Sequence, residues 1–119
     1  MVIIPQHGPE GVLFDLNDFF ADVDAHYSID AWRVRLEYGL GEGATDLEDH
    51  SFKTVTIPYE ELRLAYRGIY QTVDGSFVGL RDGAEQCRLD AIDSSFWKIS
   101  GSETFESFMR RKYGHYPVG

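Results

Sequence analysis

Trp32, Val34, Leu36 and Tyr38 alternate with Arg33, Arg35 and Glu37, and this period of two constrains the fold more than any other stretch of the chain. Ala31 to Tyr38 is therefore expected as a strand with one face in a core and the other polar. Turn signals place more strands around it. Asp74-Gly75 lies between Tyr70-Gln71-Thr72-Val73 and Ser76-Phe77-Val78-Gly79-Leu80, a pattern that predicts a tight hairpin. Asp82-Gly83 marks a second turn, with Cys87 to Ile92 and Phe96 to Ile99 as the strands that follow. Shorter candidates are Val12 to Asp15 and Phe52 to Ile57.

Helical spacing appears at three places. Leu16, Phe19, Phe20 and Val23 recur at i, i+3, i+4 and i+7, with Asp15, Asp18 and Asp22 on another face of the same short helix. After Pro58, which suits a first helical turn, Leu62, Ala65, Tyr66 and Ile69 form an apolar stripe ended near Gly68. Ser100 followed by Glu103 resembles a capping box, and Phe105, Phe108, Met109 and Tyr113 carry a last helix to Gly114. Gly39 to His50 is expected as a loop, because it carries Gly39, Gly41 and Gly43 followed by a run of acids. Short connections dominate. The expected fold is α+β: a single globular domain over residues 1–119, with a mostly antiparallel sheet and two or three helices packed on it.

The charges are unevenly placed. Of the formal net charge of -9, all falls in the first fifty residues, where eleven acids stand against Arg33 and Arg35 alone. From Ser51 onward nine acids balance nine Lys or Arg. Such asymmetry points to an acidic surface, and so to a cationic partner or to solubility. It argues against nucleic acid, since no basic stripe is available to release counterions from phosphates. The opening Met1-Val2-Ile3-Ile4-Pro5 lacks a basic segment before a long apolar one, and no apolar run reaches the ~20 residues of a membrane span. The expected location is cytoplasmic.

Motifs that carry chemistry fail on inspection. Asp22, Asp24, His26, Ser28 and Asp30 offer ligands at every second position, as a calcium loop does, but Tyr27 stands where the loop needs glycine and Arg33 where it needs glutamate. His7, His26, His50 and His115 form no metal-binding pair. Asp93-Ser94-Ser95 with His115 contains nucleophile and base but lacks the small-residue elbow that exposes a serine. The glycines at 39, 41 and 43 are followed by acids rather than by the lysine of a phosphate loop. Cys87, the single cysteine, is expected as a core residue, and Arg110-Arg111-Lys112 as cations complementing a helix C-terminus. No enzyme activity and no cofactor are expected.

What remains is acidic. Asp18, Asp22 and Asp24 form one cluster, and Glu42, Asp46, Glu48 and Asp49 a second. The functional expectation is that these residues bind a basic protein partner. A small acidic α+β chain without a catalytic motif, with Leu89 to Ile99 leading into a capped helix, resembles bacterial toxin-immunity proteins in overall character. That resemblance implies a non-catalytic protein that neutralises a toxin by covering it. Two other classes stay open at this point. One is a small enzyme or ligand-binding domain with a pocket of dispersed residues, and the other an assembly subunit acidic only for solubility.

Overall fold

In the computed structural model, which describes residues 1–116, six strands form one antiparallel sheet in the order β1-β6-β5-β4-β2-β3. The strands are β1 (Val2–Pro5), β2 (Ala31–Gly41), β3 (Val55–Pro58), β4 (Ile69–Arg81), β5 (Ala84–Ile92) and β6 (Phe96–Ser100). Four helices pack on it: α1 (Leu16–His26), α2 (Ala44–His50), α3 (Tyr59–Tyr66) and α4 (Glu103–Tyr113). The fold is α+β with one core. The helices number four because the expected loop before His50 contains α2.

Alternation along β2 is realised: Trp32, Val34 and Leu36 are buried, and Arg33 and Arg35 reach solvent. Val34 pairs with Phe77, Phe77 with Leu89, and Leu89 with Ile99, so one row of buried side chains crosses four strands. Helix α1 covers this row with Leu16, Phe19, Phe20 and Val23, all buried as their spacing requires. Phe19 meets Trp97 edge-on with ring centres 5.0 Å apart, and Phe105, Met109 and Tyr113 of α4 close the adjoining side.

Several expectations are corrected. Asp74-Gly75 makes no turn. Both residues lie inside the continuous strand β4, which is paired on one side with β2 and on the other with β5. With a partner along each edge the segment stays extended, and Asp74 Oδ1 accepts a 2.8 Å hydrogen bond from the amide of Asp93 in the neighbouring turn. Asp82-Gly83 is the true hairpin: both residues have positive φ, 51° and 80°, as a two-residue turn between Arg81 and Ala84 demands. Tyr38 is exposed rather than buried, because the β2–β4 register shifts between Leu36 and Tyr38 and the alternation changes face. Val12 to Asp15 forms no strand beyond a single bridge between His7 and Leu13, and the first strand is β1, paired with β6. Ala65 is exposed, and the stripe ends at Tyr66 because Ile69 already belongs to β4. Ser102, not Ser100, caps α4, its hydroxyl accepting from the amide of Phe105.

Among the described residues no helix is long and apolar enough to cross a membrane.

Candidate functional site

The two acidic clusters have different fates. Asp18, Asp22 and Asp24 each have a partner within the fold. Asp18 accepts from the amide of Asp15 and completes the capping box that starts α1. Asp22 is buried; its oxygens accept from Lys112 Nζ at 2.7 Å and from the Tyr113 hydroxyl, which joins α1 to α4. Burial, with the Asp22 carboxylate as acceptor, drives the Tyr113 hydroxyl well above its ordinary pKa, so it stays a donor. Asp24 takes the Tyr59 hydroxyl at 2.8 Å and the Arg63 guanidinium, which joins α1 to α3. Arg63 lies 4.2 Å from the centre of the Tyr59 ring, so the two partners of Asp24 also touch each other. Asp18 and Asp24 are exposed and Asp22 is buried; the cations that meet Asp24 and Asp22 come from α3 and α4, distant in sequence and adjacent in space.

The second cluster is available, and α2 organises it. Strand β2 ends at Gly41, whose φ of 127° is one glycine tolerates best. A Cβ there would stand 2.2 Å from the Gly68 carbonyl, so the chain passes α3 only with no side chain at this point. Ala44 and Leu47 then anchor α2 in the core. Buried Ser51 at its C-terminus accepts from the amide of Leu36 at 2.9 Å and donates to the Leu47 carbonyl at 2.7 Å. Glu48 accepts from the amide of Gly39 at 3.2 Å. Strand β3 pairs β2 only from Ala31 to Val34, so these two side chains satisfy edge amides that no strand reaches.

Hollows flank α2. One of about 380 Å³ is lined by Arg35, Leu36, Glu37, Glu48, Asp49 and Phe52. A second of about 280 Å³ holds Asp46 and His50 beside Leu47 and Ala65, and a third of about 470 Å³ holds Glu42 against Leu64 and Arg67. Glu42, Asp46, Glu48 and Asp49 thus all line depressions around one short helix. Phe52 is 69 % exposed at the rim of the first. Phe52 lies outside the strand expected from Phe52 to Ile57, since β3 begins at Val55; an aromatic residue three positions after the acidic run is the signal in the sequence. Glu37 and Arg35 were likewise read only as the polar side of a strand.

Other chemistry is sparse. Cys87 is buried, and burial pushes its thiol up to about 12, which keeps it protonated and inert at neutral pH. Among the described residues no three His, Cys, Asp or Glu side chains converge as a metal would require.

No protein-family model, curated protein or solved structure matches this chain.

Proposed function

We propose that this chain is a non-catalytic binding protein that covers a basic protein partner with the acidic surface around α2, in the manner of a toxin-neutralising immunity protein. The observation that carries the proposal is the pairing of an exposed aromatic side chain with carboxylates at one hollow: Phe52 beside Glu37, Glu48 and Asp49. An aromatic anchor supplies buried area at an interface, and carboxylates around it select lysine or arginine and steer the approach. The acids of this surface have few competitors. Arg35 is engaged with Glu37, and among the described residues Asp46 and Asp49 make no salt bridge. On α1, by contrast, Asp22 and Asp24 are already paired with Lys112 and Arg63.

The test begins with the partner recovered from the native cell by affinity capture, followed by calorimetry at two salt concentrations. Asp46→Lys with Asp49→Lys is expected to weaken binding by 10-fold or more and to flatten its salt dependence, with little change in stability, since exposed charges contribute little to it. Phe52→Ala is expected to cost about 2 kcal/mol or more of binding energy if this residue is the anchor. Glu48 is tested as Glu48→Gln, which keeps an acceptor for the Gly39 amide. Affinity that ignores salt, both reversals and Phe52→Ala would overturn the proposal and leave solubility as the reason for the acids.

A further inference from the structure

The face of the sheet turned away from the core carries a second feature, opposite in sign. Arg33 and Arg88 flank Val78 in one cross-strand row, and Arg35 stands beside Ser76 in the next. Together with Glu37 and Thr54 they line a hollow of about 300 Å³. Arg33 and Arg35, the only Lys or Arg among the first fifty residues, both line it.

Each arginine is held by one carboxylate through one nitrogen. Arg33 Nη1 donates to Glu85 at 2.8 Å, Arg88 Nε to Asp90 at 2.8 Å, and Arg35 Nε lies 3.3 Å from Glu37. A guanidinium carries five N–H donors, so most of each fork is unspent. Among the described residues, the hydroxyls of Thr54 and Ser76 make no side-chain hydrogen bond either. Val78, 4 % exposed, forms the floor between the two flanking arginines. The hollow is therefore rich in donors and poor in acceptors. Of the three carboxylates only Glu37 lines it; Glu85 and Asp90 sit outside.

We propose that this hollow binds a phosphate group carried by a small ligand. Glu85 and Asp90 each engage one nitrogen of Arg33 and Arg88 from outside, so it is the remaining N–H donors of the forks, rather than a net charge, that suit a phosphate monoester. Guanidinium forks and hydroxyls match the several acceptor oxygens of a tetrahedral anion, and the existing carboxylates orient the forks from outside. The volume suits one headgroup rather than a length of peptide. The feature adjoins the surface around α2: the Arg35–Glu37 pair stands between the two hollows and lines both.

The experiment is a titration of the intact chain with inorganic phosphate, followed by amide and arginine side-chain NMR, with ionic strength held constant by sodium chloride. Saturable shifts are expected at Arg33, Ser76, Val78 and Arg88, and phosphoserine should move the same signals. Arg33→Gln with Arg88→Gln should weaken binding at least 10-fold, and Arg110→Gln, in α4, should leave it unchanged. Arg35→Gln provides an independent loss should the double variant unfold. Shifts that never saturate, shifts equally large around Arg110 to Lys112, or equal affinity for a tetraglutamate peptide would each overturn the proposal. Normal phosphate binding by the Asp46→Lys, Asp49→Lys protein would confirm that the two surfaces act separately.

Discussion

At the scale of single residues, the core contains one carboxyl group whose ionisation the fold opposes. Asp15 caps α1, accepting from the Leu16 amide at 2.7 Å and from the Thr72 hydroxyl at 2.8 Å, while its Oδ2 is buried with no partner among the described residues. Burial outweighs those hydrogen bonds and raises its pKa from 3.8 to about 6. Because the folded value lies above the unfolded one, the native state holds the extra proton between about pH 4 and pH 6, and this group's contribution to stability falls as pH rises through that window. A shift of this size corresponds to about 3 kcal/mol. Asp15→Asn keeps an acceptor for both bonds and cannot ionise. Urea titrations at pH 4 and pH 7.5 should therefore show the variant gaining on the wild type by about 2–3 kcal/mol across the interval. A difference that stays constant with pH would mean Asp15 is solvated. Trp32 belongs at this scale too. It is fully buried against Phe20 and Tyr59, so Trp32→Ala should cost ~3–5 kcal/mol in denaturant titration, against less than ~1 kcal/mol for a surface residue.

At the scale of elements, legibility follows from how local each signal is. The α1 stripe Leu16, Phe19, Phe20 and Val23 and the β2 run Trp32, Val34 and Leu36 were legible because their periodicities report burial directly. Asp74-Gly75 and Asp82-Gly83 are the same dipeptide with opposite outcomes. The first is flanked by partners on both edges and stays extended, so tertiary pairing overrode the local preference. Helix α2 looks like a loop in the sequence because glycines precede it and only Ala44 and Leu47 are buried, too few for a periodic signal. The acids of the candidate site were therefore legible as residues, but their arrangement around a helix was not. The arginine hollow was illegible for another reason: Thr54, Ser76 and Arg88 reach Arg33 only through strand order. One element-scale consequence concerns Ser51. Ser51→Ala strands the Leu36 amide at an unpaired edge, and a loss of about 1–3 kcal/mol is expected by thermal or urea unfolding. Hydrogen exchange should locate the damage at Leu36 and α2 rather than across the sheet.

At the scale of the whole molecule, the fold partly undoes the charge separation of the sequence. Lys112 reaches Asp22 and Arg63 reaches Asp24, so second-half cations neutralise first-half acids across the α1 interfaces. The acids around α2 are left without that compensation, and the net charge of -9 remains. Two electrostatic contributions then oppose each other when salt is added. Exposed pairs such as Arg33–Glu85 and Arg35–Glu37 weaken, each by a fraction of the ~0–1 kcal/mol that such pairs contribute. Repulsion among the surplus acids weakens as well, and it acts over the whole surface at low salt, where the Debye length is about 30 Å at 0.01 M. The pair Asp22–Lys112 is screened least, because Asp22 is buried. With nine uncompensated charges, relief of repulsion should dominate. Raising sodium chloride from about 0.01 M to 0.3 M is expected to raise Tm by a few degrees, the shift that about 1 kcal/mol produces in a domain of this size. Replacing Asp46 and Asp49 by asparagine should reduce that salt response, since part of the repulsion then disappears at the outset. A Tm that falls with salt in calorimetry would show that the exposed ion pairs, not the acidic surface, govern the electrostatic energy of the folded chain.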